Sequence, residues 1–201
     1  MTQIKRFTSS SLMGFSVSLF MCLFLASCAI SPQAINLNPS VTVSKNNIGQ
    51  GRTINLKVVD KRTTKALGTR GGIYSSTALV TIAGGPEEPI RQELYGALSG
   101  YGFNVGNDSI AESDIDLTIE IEALGYQTVG DKFPKVIKNN ILLKAICTKE
   151  GSKFSSRYAA NKEEEVLMAP TANKNERTIN GLVSKALSAM VEDKKLLDFL
   201  R

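Results

Sequence analysis

The spacing of apolar residues predicts two amphipathic helices. Apolar side chains repeat every three or four positions over residues 86–101, and again over residues 175–191, so each segment has one apolar face when wound as a helix. Gly102 follows the first segment and suits a left-handed helix end. Asn173, three residues before Glu176, gives the second segment a capping-box start. The apolar positions are Ile90, Leu94, Ala97, Leu98 and Tyr101, and then Ile179, Leu182, Val183, Ala186, Leu187 and Met190.

Alternation of apolar and polar residues predicts the strands of a sheet. The clearest strand is Ile115–Glu122, which has isoleucine and leucine on one face and acidic or threonine side chains on the other. Because the helices and this strand each have a single apolar face, we expect a two-layer α+β domain. Both helices should cover one face of a mainly antiparallel sheet of four to six strands. The other predicted strands are 53–59, 76–83, 103–105, 136–148 and 154–160.

The N-terminal 28 residues follow a different pattern. After a basic start, a short apolar run, Leu12–Leu25, is followed by the small residues Ala26 and Ser27 and then by Cys28. This pattern is typical of a bacterial lipoprotein signal peptide and predicts cleavage between Ser27 and Cys28, with acylation of Cys28. A transmembrane helix and an ordinary secretory signal are the alternatives. The run has 14 positions, whereas a membrane-spanning helix needs about 20 apolar residues.

Ala29, directly after the cysteine, indicates which of the two bacterial membranes holds the protein. It is not the aspartate that retains many bacterial lipoproteins in the inner membrane. The sequence therefore predicts an outer-membrane protein on the periplasmic side, whose first partner is membrane lipid through Cys28.

The domain organisation follows from composition. Removal of residues 1–27 leaves a polar, Asn- and Gly-containing segment over 28–51, which we expect to be a lipid-anchored flexible tether, and a single periplasmic domain over 52–201. A coil of this length would span roughly 25–30 Å and let the domain stand away from the membrane. Alternating apolar residues within Ile35–Val43 leave open that part of this segment is an edge strand.

Composition also removes several classes of site. The chain has no histidine, which excludes Ser/His and Cys/His catalytic pairs and histidine metal ligands, so we expect no cofactor and no metal. Cys147 is the one cysteine left beside Cys28, which leaves no intramolecular disulfide, and its apolar surroundings indicate a buried small side chain. Lys5 and Arg6 leave with the signal, so 24 basic residues become 22 against 19 acidic ones, a net charge of +3. This small excess does not indicate nucleic-acid binding.

One basic cluster is a candidate for contact with an anion or an acidic partner. Lys61, Arg62, Lys65 and Arg70 lie within ten positions, beside glycines. Lipid headgroups, cell-wall carboxylates or an acidic protein would suit it. The alternative is a solvated loop in which Asp60 pairs with one of the four.

Two further groups have simple structural explanations. Gly84, Gly85 and Pro86 at a helix start could bind an anion through free N–H groups, but no lysine or serine follows as in a phosphate loop, so a turn is favoured. Glu120 and Glu122 share a strand face, as a general acid/base pair would, but the alternation alone explains them.

Several segments occur in a recognisable order along the chain. They are Cys28 with the residues before it, Val59–Thr63, Leu98–Val105, Asp114–Leu117 and Leu187–Phe199. In order and spacing they resemble the YajG family of bacterial outer-membrane lipoproteins over nearly the whole chain. The resemblance implies the location and the fold, and it offers no functional residue beyond the acylated Cys28.

Two classes of function stay open. The first is a non-enzymatic binding or assembly module at the outer membrane, whose partner is an envelope protein or a cell-wall polymer and not a nucleic acid. The alternative is an envelope enzyme that works without histidine, through carboxylates or through Tyr, Ser or Lys groups. The absence of histidine favours the first class, and we expect that the protein is not an enzyme.

Overall fold

The predicted strands belong to one curled sheet, and both predicted helices are present. A computed structural model of the chain describes residues 31–71, 76–106, 113–132 and 134–201. The predicted signal peptide, its cleavage site at Ser27 and Cys28, and the sorting position Ala29 lie outside the described residues. The strands are β1 Gln33–Ile35, β2 Thr53–Asp60, β3 Gly68–Thr69, β4 Leu79–Ile82, β5 Asn104–Gly106, β6 Ile115–Val129, β7 Lys135–Lys149 and β8 Ser152–Val166; the helices are α1 Glu87–Gly100, α2 Ala172–Val191 and α3 Lys194–Leu200.

The sheet has eight strands, more than the four to six expected. Strands β6, β7 and β8 form a long antiparallel meander, in agreement with the strands predicted at 115–122, 136–148 and 154–160 in a mainly antiparallel sheet. β2 runs parallel to β6 because the chain returns through α1 between them, and β1–β4 and β2–β5 are also parallel pairs. The sheet is therefore mixed. The two strands beyond the six predicted, β1 and β3, have only three and two residues, too few for alternation alone to establish them.

The core lies between one face of this sheet and the two long helices. Residues that pair across neighbouring strands share a face of the sheet. Ile54 of β2, Ile115 of β6 and Lys149 of β7 therefore lie side by side on one face, and Leu117 of β6 and Cys147 of β7 lie side by side further along the same face. The apolar side chains of α1 and α2 join the same buried cluster. The prediction that both helices cover one sheet face is confirmed.

The helix ends agree with the sequence in one case and differ in the other. α1 ends at Gly100, and Gly102 adopts a φ of +82°, as expected for a left-handed helix end. A side chain at Gly102 would also collide with Asn47, whose Oδ1 would lie 2.5 Å from a Cβ. The N-cap of α2 is Thr171, two residues before the expected Asn173, because the Thr171 hydroxyl accepts a hydrogen bond from the Lys174 N–H.

Residues 33–51 are docked on the domain, where we expected a flexible tether. β1 pairs with β4, and the segment after β1 follows one side of α2. There the Asn36 N–H donates to Glu176 at 2.9 Å, that of Asn38 to Asn180 Oδ1 at 2.7 Å, and that of Ser40 to Ser184 Oγ at 2.9 Å. The edge-strand alternative describes β1, and the acceptors on α2 recur every four residues because they lie on one helical face.

Further along, residues 46–51 bind the end of α1. The N–H groups of Asn46, Gly49 and Gly51 donate to the carbonyls of Gly100, Tyr101 and Gly102 at 3.1, 2.8 and 2.8 Å. Within the described part of the chain, the segment before β2 is thus held along most of its length.

Candidate functional site

Three of the four predicted basic residues gather near the end of β2. Arg62 donates from Nε and Nη2 to the two oxygens of Asp60, each at 2.9 Å, and Lys65 Nζ donates to Asp60 at 2.9 Å. The Asp60 side chain is 0% exposed and that of Arg62 is 5% exposed, whereas the Lys65 side chain is 71% exposed. Lys61 lies 3.9 Å from Glu120. Asp60 is thus a buried anion that engages two of the cations.

The charge state of Asp60 follows from these contacts. Burial on its own would raise the pKa of this carboxyl, but hydrogen bonds from Arg62 and Lys65 outweigh burial and hold the pKa well below its usual range. Arg62 also donates to the Leu124 carbonyl at 3.3 Å. These contacts tie the loop after β2 to β6.

Arg70, the fourth residue, lies elsewhere. Its Nη1 donates to the Ser31 carbonyl at 2.8 Å, and its Nη2 donates to the Pro170 carbonyl at 3.0 Å. The structure therefore brings Arg62 and Lys65 together on Asp60 and places Arg70 at another end of the sheet.

The paired glutamates of β6 each contact a different cation. Lys144 Nζ lies 3.3 Å from Glu120, and Arg157 Nε lies 2.7 Å from Glu122. The hydrogen bond from Arg157 lowers the pKa of Glu122. A general acid needs a raised pKa, so this arrangement fits cross-strand ion pairs on the polar face of the sheet.

Two other sequence candidates have structural roles. Gly84 and Gly85 have φ values of +73° and +85°, which makes the segment before Pro86 a turn that leads into α1. Cys147 is fully buried, and burial raises the pKa of its thiol to about 12. A thiol of that kind is a poor nucleophile at neutral pH.

An open cleft lies between β8 and α2, away from all the candidate residues that the sequence predicts. It has a volume of about 600 Å³ and is open to solvent. Four cationic side chains and one carboxylate line it, together with polar groups, Gly181 and Leu182. The lining residues are Asn161, Lys162, Glu164, Lys174, Arg177, Thr178, Gly181, Leu182 and Lys185.

The charges of this basic cleft are partly paired. Glu164 forms ion pairs with Lys174 and, at 3.2 Å, with Lys162. The hydrogen bond from Lys174 lowers the pKa of Glu164, which keeps it ionised. Arg177 donates to the Asn173 carbonyl at 3.3 Å through Nε, and Lys185 is exposed. The excess of positive charge is therefore carried mainly by Arg177 and Lys185, which lie eight residues apart on α2.

A sequence signal for this cleft exists but is weak. Lys174, Thr178, Gly181 and Lys185 follow helical spacing, and they lie beside the apolar face of α2 that defines the core. Their partners on β8 are far away in sequence and fall in the charged stretch Lys162–Glu165, beyond the predicted strand 154–160. In the structure these residues belong to β8.

Comparison with known proteins places the chain in a family. The family model for uncharacterised lipoproteins, Lipoprotein_16, matches residues 39–201. The chain belongs to this family. The resemblance to YajG-type lipoproteins is thereby confirmed. No curated protein matches the sequence significantly.

Several solved structures are similar to this chain at low identity, and the first of them supports the same fold. A DUF330-family protein from Xanthomonas campestris is similar at 10% identity, with 86% of this chain and 97% of that chain covered and a TM-score of 0.55. A protein described as a neuraminyllactose-binding hemagglutinin homolog from Helicobacter pylori has 9% identity, coverages of 80% and 95%, and a TM-score of 0.49. A minor lipoprotein from Acinetobacter baumannii has 9% identity, coverages of 79% and 91%, and a TM-score of 0.38.

Two kinds of feature are absent from the described residues. In the ranges that the structure describes, no helix is long and apolar enough to cross a bilayer. Within those ranges, no group of three or more Cys, Asp or Glu residues is placed to hold a metal ion.

Proposed function

We propose that acylated Cys28 anchors this lipoprotein in the outer membrane and that its periplasmic domain is a non-enzymatic binding module. The basic cleft between β8 and α2 carries the proposal, because four cationic side chains converge on it and only one carboxylate, Glu164, lies among them. Its partner, on this view, is an acidic, extended segment of an envelope protein.

The shape of the cleft favours an extended partner. β8 pairs with β7 on one side, and its other edge has no strand partner among the described residues. An exposed edge offers backbone N–H and C=O groups to an added strand. Asn161, Lys162 and Glu164 place this edge beside the cleft, and Gly181 leaves room above α2, since a Cβ there would meet nothing within 4 Å.

The charge of the cleft favours an acidic partner. Arg177 and Lys185 lie at its α2 wall, and the single carboxylate, Glu164, already engages two lysines. An incoming carboxylate would therefore meet cations that have few internal partners.

The titratable groups support binding over catalysis. Every described carboxyl group whose pKa departs from its ordinary value is shifted downward, among them Asp60, Glu122 and Glu164. The thiol of Cys147 and the hydroxyl of Tyr158 have raised pKa values because they are buried. A histidine-independent enzyme would need the opposite shifts in a carboxyl acid or in a nucleophile.

The anchor is tested by changing Cys28. We expect Cys28→Ser to leave an unprocessed precursor that carries no lipid, because the signal peptidase and the acyl transfer both require the thiol-bearing residue. Mass spectrometry of the intact protein and membrane fractionation measure this. Ala29→Asp is the matched variant, which should remain lipidated and move largely to the inner membrane. A Cys28→Ser protein that is still cleaved after Ser27 and acylated would contradict the anchor.

The cleft is tested by reversing its charge. A photo-crosslinking residue at Thr178 should capture an envelope protein in cells, identified by mass spectrometry. Arg177→Glu with Lys185→Glu should lower the capture by about tenfold or more, since like charges at an interface cost at least about 1.4 kcal/mol. Lys153→Glu with Lys194→Glu changes the net charge equally, outside the cleft, and should leave capture unchanged. Equal losses in both double variants would reject the cleft as the site.

A further inference from the structure

One end of the sheet carries three of the large apolar side chains that are exposed among the described residues, Val129, Leu167 and Met168. The strand register places Ser31, Arg70 and Val129 at this end, and the segment Leu167–Met168 follows directly after β8 reaches it. We call these residues the proximal end. The opposite, distal end contains the β7–β8 turn with Ser152. Strands of 15 residues separate the two ends by roughly 45–50 Å.

The proximal end exposes apolar groups that have no role in the core. Leu167 and Met168 have 77% and 79% of their surface exposed. Val129, 39% exposed, lies close by, because it pairs with Val136, which in turn pairs with Glu165 of β8. The stretch 166–171 contains no charged residue. Two adjacent, almost fully exposed large apolar side chains on an uncharged turn indicate a contact surface.

The start of the described chain is fixed at this same end. Arg70 binds the carbonyls of Ser31 and Pro170 at 2.8 and 3.0 Å. Gln33 Nε2 donates to the Pro170 carbonyl at 3.2 Å, and Asn175 Nδ2 donates to Gln33 Oε1 at 2.7 Å. Gln33 and Asn175 are buried. These hydrogen bonds join Ser31 to the turn that presents Leu167 and Met168.

The covalent chain then limits where the anchor can be. Cys28 precedes Ser31 by three residues, so the two lie at most about 11 Å apart even when the chain is fully extended. A lipid on Cys28 therefore holds the proximal end at the bilayer surface, and the separation of roughly 25–30 Å expected of a free tether is not available.

We infer that the proximal end is a membrane-seating surface, in which Leu167 and Met168 insert into the boundary between lipid headgroups and acyl chains. The inference rests on the proposed lipid anchor at Cys28. The acyl chains supply the affinity, and the inserted side chains set the orientation, since a tethered apolar turn meets the bilayer at high effective concentration. Seated in this way, the long strands point away from the membrane and the distal end faces the periplasm.

The test uses a fluorescent probe at each end of the full, lipidated protein. Cys147 is buried, and acylation consumes Cys28, so an added surface cysteine is labelled selectively. Met168→Cys and, as the matched distal control, Ser152→Cys are labelled with an environment-sensitive dye. The proteins are then reconstituted into phosphatidylethanolamine/phosphatidylglycerol vesicles that contain a quencher-labelled lipid. Interfacial insertion places a side chain about 5–10 Å into the headgroup and acyl boundary.

The expected result is a blue shift and loss of most fluorescence for the Met168 probe, with neither change for the Ser152 probe. Leu167→Cys, at an equally exposed position, should repeat the result if Met168→Cys folds poorly. Protein that floats with the vesicles while the Met168 and Leu167 probes stay unquenched would keep the anchor and overturn the seating.

Two other outcomes also overturn the inference. A blue shift without quenching by lipid would assign the proximal end to contact with a second copy or another protein. Failure of the protein to float with the vesicles would remove the anchor, and the seating with it.

Discussion

Leu187→Ala is expected to lower the free energy of unfolding by about 2–5 kcal/mol, and Leu94→Ala by a similar amount. Leu187 is 0% exposed on α2 and Leu94 is 1% exposed on α1, so each truncation opens a cavity between a helix and the sheet. A domain of this size has a total stability of about 5–15 kcal/mol. Either substitution therefore removes a large part of it. Equilibrium denaturation of the chain that begins at Ala29 measures the change.

The matched control for this experiment is Leu167→Ala. The same atoms are removed from a side chain that is 77% exposed, and the expected change is within about 0.5 kcal/mol. Glu120→Ala, on the polar face of β6, should also have a small effect, below about 1 kcal/mol, because its ion pairs with Lys144 and Lys61 are partly open to solvent. Leucine truncations on α1 and α2 as mild as the control would mean that these helices do not cover the sheet.

Asp60→Ala is the second substitution with a large expected effect, about 3–5 kcal/mol of destabilisation. It leaves the Arg62 guanidinium, whose side chain is 5% exposed, without its carboxylate partner in a buried position. Replacing both partners, Asp60→Ala with Arg62→Met, should recover much of the loss, since the uncompensated charge is then gone. A double variant less stable than Asp60→Ala alone would contradict this account.

The same ion pair predicts a dependence on pH. The pKa of Asp60 is lower in the folded protein than the value of about 3.9 expected in the unfolded chain. The stability that ionised Asp60 adds to the folded protein is therefore fully present well above pH 4. It is lost as the pH falls below that value toward the pKa of Asp60 in the folded protein. Wild type should lose more stability than Asp60→Asn between pH 7 and pH 3, measured by denaturation at each pH. Parallel losses in the two proteins would mean that Asp60 is not held ionised.

The elements that could be predicted from the sequence are those with a long, uninterrupted period. The stripes of α1 and α2 fixed their apolar faces, and the alternation of Ile115–Ile121 identified the buried face of β6. β6 is nevertheless twice as long as its regular part. A bulge between Ile121 and Ala123 shifts the alternation by one residue, so Leu124 and Tyr126 face the core in the second half.

The parts that could not be predicted depend on contacts between distant segments. Residues 36–40 have a polar, tether-like composition, yet their backbone groups bind side chains of α2 more than 130 positions away, which no local pattern reveals. The basic cleft has the same origin, since Lys162 and Arg177 lie on different elements and meet only when β8 packs against α2. Among the candidate residues, the pairing of Asp60 with a nearby cation could be predicted, because Arg62 and Lys65 are its neighbours in sequence.

The docking of the segment after Ser31 has a mechanical consequence for a lipid-anchored chain. If a bound partner pulls the domain away from the membrane, tension enters at Ser31 and acts along β1 and residues 36–40. The hydrogen bonds of β1 to β4, and those of Asn38 and Ser40 to α2, cross this direction. They are therefore loaded in shear and share the force, whereas bonds that peel open break one at a time. The link between the membrane and the core is a stiff one.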